Sequence, residues 1–143
     1  MSALTVEGIL GGPAVLKRRP RSDLDWVALI RAGIPAAAVD SVIKAVHLSQ
    51  AELGSTLGIP ERTLARRKKE GMLSSEESAK LLRLARTLRR ATEVFEDTDA
   101  ALDWLKARNR ALGGVTPLSL LDTDLGTEGV MDVLGRIEHG VYS

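Results

Sequence analysis

Cysteine is absent from the 143 residues, which excludes disulfide frameworks, thiolate metal sites and cysteine nucleophiles and suits a reducing compartment. Aromatic residues are 3% of the chain against 44% apolar residues. Any core is therefore built from Leu, Ala, Val and Ile, a balance that favours helices over strands. No apolar run approaches the roughly 20 residues that cross a bilayer. The opening stretch MSALTVEGILGGPAVLKRRPRS places its positive charges after a weak apolar segment, the reverse of a signal peptide. The cytoplasm is the expected location, with no membrane partner.

Catalytic constellations are missing too. The only histidines, His47 and His139, stand 92 positions apart, and no carboxylate spacing suggests a metal site. His47 falls at a helix end, as a cap or surface residue; Asp122 and Asp124 flank a glycine turn and read as caps. Gly11-Gly12-Pro13 is no phosphate loop, since no Lys-Ser or Lys-Thr pair follows. Neither an enzyme nor a cofactor is expected.

What the chain does have is an uneven distribution of charge beneath a net +1. Residues 1–59 are nearly balanced, at +1; residues 60–90 hold ten cations against four anions, for +6; residues 91–143 hold four against ten, for −6. A basic segment beside an acidic one suggests two partners, a phosphate backbone for the first and a protein surface for the second.

The basic segment lies in LSQAELGSTLGIPERTLARRKKEG, residues 48–71. Ser49 with Glu52 makes a capping-box pattern, Ala51, Leu53 and Leu57 supply the apolar positions, and Gly58 can end the helix at positive φ. Pro60 restarts a helix, Leu64 faces inward, and Gly71 closes it. Two short helices joined by a glycine turn, the second one cationic, suit a helix-turn-helix whose second helix enters a major groove; an ordinary αα-corner with solvated charge is the alternative. Arg62, Thr63 and Arg66 occupy the part of that helix that reaches base edges. Gln50 is placed for a phosphate, and Arg67, Lys68 and Lys69 are either phosphate neutralisers or solvated charge.

Residues 1–22 show no period, and their Gly, Pro and KRRPR content predicts a flexible basic arm that either touches DNA or is simply solvated. Ser22 or Asp23 opens a helix over 24–32 with Val27 and Ile30 inward and Trp26 packed on the core. Pro35 opens another over 36–46 through Val39, Val42, Ile43 and Val46. Ser74 or Ser75 caps a long helix along Leu81, Leu84 or Ala85, Leu88, Ala91 and Phe95, bridging the basic and acidic halves. Thr98 or Asp99 caps a helix ending near Arg108, with Ala101, Leu102 and Leu105 inward. A loop with two glycines leads to a turn at Pro117, and a last helix along Val130, Val133, Leu134 and Ile137 runs to Gly140. The expected fold is all-α, with domains at 23–90 and 91–143.

The chain resembles the Xre/MbcA/ParS family of antitoxins, those paired with RES-type toxins, over about residues 25 to 142. One carrier is IPERTLARRKKEGMLSSEESAKLLRLARTL, with its Arg-Thr-Leu, Arg-Arg, Gly-x-Leu and Glu-Ser elements. The other is ALDWLKARNRALGGVTPLSLLDTDLGTEGVMDVLGRIEHGVY, where Trp-Leu, Asn, Leu-Gly-Gly, Pro-Leu, Leu-Leu-Asp-Thr and Ile-x-x-Gly follow in order. Lys80 departs from the arginine common in the family and keeps its charge.

The resemblance implies a cytoplasmic antitoxin co-produced with a toxin that depletes NAD⁺ or transfers ADP-ribose. Its C-terminal domain covers the toxin's active-site cleft, and its Xre-like helix-turn-helix part dimerises, binds the operon's own promoter and represses it. A homodimer on inverted-repeat operator DNA, assembled with a cognate RES-type toxin, is the implied partnership. The −6 segment suits a cationic cleft built for dinucleotide phosphates. DNA-binding candidates are then Gln50, Arg62, Thr63, Arg66, Arg67 and Lys69; toxin-binding candidates are Trp104, Asn109, Leu112, Gly113, Arg136, Gly140, Val141 and Tyr142. Trp104 is as readily a core residue as an anchor. A stand-alone helix-turn-helix regulator is the competing expectation.

Overall fold

Leu, Ala and Val side chains at helical spacing build the whole of what the computed structural model describes, residues 4–140. Among those residues there are nine α-helices, two 3-10 turns and no strand beyond two isolated bridges. The helices are α1 (Val6–Ile9), α2 (Gly12–Leu16), α3 (Asp23–Ala32), α4 (Ala37–Val46), α5 (Gln50–Leu57), α6 (Glu61–Glu70), α7 (Ser75–Phe95), α8 (Thr98–Lys106) and α9 (Asp124–Glu138). The 3-10 turns, Arg110–Leu112 and Pro117–Leu120, lie between α8 and α9. The chain divides into two compact units, one running to Ala85 and one starting at Arg86, with α7 contributing to both. The all-α expectation holds. No helix among the described residues is long and apolar enough to cross a membrane.

In the first unit, residues 6–16 of the segment expected to be a flexible arm are instead mostly helical and anchored, while the basic run 17–21 stays irregular and mostly exposed. Thr5 caps α1 by accepting from the Gly8 N–H at 2.9 Å, and both short helices pack on α4 with Ile9, Leu10 and Leu16 buried. Two helices of four and five residues are too short to show a period, so burial and not propensity holds them. Gly11, at φ 105°, supplies the left-handed corner between them.

Helix α3 follows its reading at Trp26 and Ile30 and departs from it at Val27 and Leu29. Leu29 is buried, Trp26 and Ile30 are half-buried, and Val27 faces solvent with Leu24. Helix α4 follows its reading through Val39, Val42 and Val46, with Ala38 in place of a fuller role for Ile43. Ile34 then ties this region to the start of α7: its N–H donates to the buried Ser78 Oγ at 2.8 Å, and its carbonyl accepts from the Leu73 N–H at 2.9 Å.

In the second unit the caps shift by a residue. Asp97, and not Thr98 or Asp99, caps α8 through the Ala100 N–H at 2.9 Å. Thr123, standing between the two aspartates read as caps, takes the Gly126 N–H at 3.0 Å and opens α9. Ala101, Leu102, Leu105, Val130, Val133 and Leu134 are buried as expected, while Ile137 is half-buried and α9 ends at Glu138.

Candidate nucleic-acid and protein interfaces

Ser49 accepts from the Glu52 N–H at 3.0 Å while Glu52 Oε1 accepts from the Ser49 N–H at 2.9 Å, a complete capping box that starts α5. Gly58 ends it at φ 70°, and the Ile59 N–H turns back to the Gly54 carbonyl at 2.8 Å. Pro60 is the N-cap residue of α6, one position before the helix. Ala51, read as apolar support for α5, is exposed; Leu53, Gly54 and Leu57 are the buried positions.

Leu64 is the buried residue of α6. Positions three and four beyond it share its face, and they are Arg67 and Lys68. Arg67 Nε donates to Glu77 Oε1 at 2.8 Å, and Arg67 Nη1 reaches Glu70 Oε1 at 3.1 Å. Glu77 also joins the capping pair that opens α7, with Oε1 accepting from the Ser74 N–H at 2.8 Å. Burial works to raise the Glu77 pKa, but hydrogen bonds from Arg67 and Ser74 outweigh it and hold the carboxyl below its ordinary range. The hydrogen bond to Glu77 raises Arg67 in turn. Lys68 Nζ donates to Gln50 Oε1 and pairs with Asp40 Oδ1, both at 2.7 Å.

The sequence-expected DNA set is therefore sorted in two. Arg62, Arg66 and Lys69 fall on one outward face at helical spacing, all exposed. Arg66 holds only a loose pair with Glu70 at 3.6 Å, and among the described residues Arg62 and Lys69 form no ion pair. Thr63 stands half-buried beside them. Arg67 and Gln50 instead spend polar atoms on intramolecular partners. Lys68 is the residue whose structural part went unread; its place four beyond the inward Leu64 was the available signal.

Asn109 organises the candidate protein-binding loop. Its N–H donates to the Val115 carbonyl at 2.9 Å, its own carbonyl accepts from Leu112 and Gly114, and its Oδ1 accepts from the Ala111 N–H at 2.9 Å. Gly113 and Gly114, at φ 78° and 84°, make the return that no L side chain adopts easily. Leu112 is half-buried beside Gly129, where an added Cβ would stand 3.8 Å from its Cδ2. Arg136 lies seven residues further along α9, on the same side as Gly129 and exposed.

Trp104 is half-buried against Phe95, ring centroids 5.7 Å apart and tilted by 43°. Gly140 follows α9, exposed, at φ 73°. Val141 and Tyr142 lie outside the described residues. Val115 and Leu125, 41% and 79% exposed, are apolar surface residues of this unit that the sequence reading passed over. Arg90 grips Glu138 at 2.7 and 2.9 Å, which raises the arginine and lowers the carboxyl from their ordinary values. Among the described residues no cluster of His, Cys, Asp or Glu could hold a metal.

Comparison with known proteins assigns both units. Residues 25–86 match the antitoxin Xre-like helix-turn-helix domain, and residues 90–140 match the antitoxin Xre/MbcA/ParS C-terminal toxin-binding domain. The chain is 36% identical over 118 residues to Antitoxin Xre of Photorhabdus laumondii, covering 81% of this chain and 80% of that protein. It is 35% identical over 116 residues to Antitoxin Xre of Yersinia enterocolitica, covering 80% and 78%. A Sphingobium protein called Prs ADP-ribosylating antitoxin is 30% identical over 132 residues, covering 85% and 83%. In fold, the chain is similar to one in the crystal structure of the M. tuberculosis MbcT–MbcA toxin–antitoxin complex, with a TM-score of 0.56 at 23% identity, over 76% of this chain and 96% of that one.

Proposed function

Since the chain belongs to the Xre/MbcA/ParS family of antitoxins and is therefore an antitoxin and not an enzyme, we propose that its two units divide the work of one operon. The C-terminal unit covers the active-site cleft of a RES-type toxin that degrades NAD⁺ or transfers ADP-ribose. The helix-turn-helix of a homodimer binds an inverted-repeat operator and represses the pair. The outward cationic stripe Arg62, Arg66 and Lys69 on α6 carries the DNA half of this reading. For the toxin half, the support is the −6 charge of residues 91–143, the surface around Asn109, Leu112 and Gly113, and the name of the Sphingobium relative.

A charged surface of this kind speeds encounter with a cleft of opposite sign. Trp104 and Arg136 are of the types on which interface energy concentrates. Co-expression with the neighbouring reading frame, followed by pull-down and an NAD⁺ assay, is the test. A stable complex in which NAD⁺ loss is suppressed is expected. If nothing from the adjacent frame co-purifies and NAD⁺ falls regardless, the protein acts as a stand-alone regulator.

A further inference from the structure

We infer that Lys68 positions the recognition helix and does not contact DNA: its ammonium joins α6 to α4 and α5, and that clasp sets the angle at which Arg62 and Arg66 meet the groove. The inference rests on the operator-binding reading and deepens it. Leu64 is the buried side chain of α6, so the apolar grip on this helix is close to a single point, about which a helix can roll. A roll of about 20° carries a side chain at a radius of about 6 Å through about 2 Å, enough to break a hydrogen bond to a base edge.

Lys68, one turn beyond that pivot, removes the freedom. One Nζ takes Gln50 Oε1 on α5 and Asp40 Oδ1 on α4, each at 2.7 Å. On the other flank of Leu64, Arg67 takes Glu77 at the start of α7 at 2.8 Å. The helix is thus strapped on both sides of its pivot, while Arg62, Arg66 and Lys69 face away. A lysine already neutralised by Asp40 is also poorly placed to release counterions from a phosphate.

The test is titration of the full-length protein against a duplex from upstream of its own gene and a random duplex of equal length, over a range of salt. Lys68→Met is expected to lower operator affinity about tenfold, the size of one lost base contact, while random-duplex affinity and the salt slope stay unchanged. Lys68→Arg is expected to restore discrimination, because a guanidinium still reaches both oxygens. Asp40→Asn, on the surface and safe for folding, is expected to lower discrimination as well, and the double variant Asp40→Asn/Lys68→Met to be no worse than Lys68→Met alone. Lys69→Ala, exposed on the outward face, serves as the phosphate-contact control, weakening both duplexes alike with the slope falling by about one.

The inference is overturned if Lys68→Met weakens both duplexes equally and lowers the slope by about one, or if Asp40→Asn tightens both. Should Lys68→Met fail to fold, Asp40→Asn and Lys68→Arg decide the matter by the same ratio. A wild-type protein that does not distinguish the two duplexes at all overturns the operator reading itself, and the inference with it.

Discussion

Gly54 stands where α5 approaches the turn into α6, and a Cβ there would lie 2.6 Å from the Ile59 carbonyl oxygen. Alanine favours a helix by about 1 kcal/mol over glycine, yet the clash is with backbone and has no flexible atom to yield. Gly54→Ala is expected to destabilise the protein by about 2 kcal/mol, read from denaturant unfolding; a gain in stability would show that the turn relaxes freely. Glu77 makes a second residue-scale case. Its folded pKa is depressed, so its contribution is full above the unfolded value and is lost as pH falls through the folded one. The melting-temperature gap between wild type and Glu77→Gln is expected to be widest near neutrality and to close as pH drops below about 4. A gap that is flat with pH counts against the Arg67–Glu77 clasp. The pair was not legible in the sequence, because nothing local says that residues ten apart on two helices meet; the shared face of Leu64, Arg67 and Lys68 was.

At the scale of elements, legibility followed how local each signal was. Ser49 with Glu52, Gly58 and Gly71 all act within a turn of their own helix, and the boundaries they announce are the ones observed. Helices α1 and α2 had no such period, and only Ile9, Leu10 and Leu16 meeting α4 makes them fold. In helix α3 the sequence points to Val27 in place of Leu29, because Val27 with Ile30 and Trp26 with Leu29 and Ile30 are equally regular patterns, and only packing chooses between them. The capping box offers an element-scale test. Ser49→Ala is expected to cost about 1 kcal/mol in unfolding free energy; no loss would mean the box is not populated in solution. For the recognition element, Arg62→Ala with Arg66→Ala is expected to abolish operator binding in a gel-shift assay while cells stay protected. Loss of protection would show that the two activities are not separable.

For the whole molecule, the Arg-Thr-Leu to Glu-Ser stretch and the ordered series from Trp104 to Gly140 made the family readable from sequence, and the matches over 25–86 and 90–140 agree. The apolar surface of the C-terminal unit was less readable, since Val115 and Leu125 are left exposed by the fold and by no local pattern. Deleting Gly140 to Ser143 is expected to weaken toxin neutralisation about tenfold in a growth-rescue assay and to leave operator affinity intact; undiminished rescue would remove the tail from the interface.

The ring of bonds around Asn109 bears on how fast and how selectively that unit recognises anything. Its N–H closes on Val115 while its carbonyl and Oδ1 hold Leu112, Gly114 and Ala111, so the loop is shaped before a partner arrives. A segment already frozen in the free state loses little conformational entropy on docking, and its amides should exchange slowly with deuterium even in the uncomplexed protein. Damage to that ring would therefore surface first as a protein that is easier to digest, ahead of any change in what the unit binds.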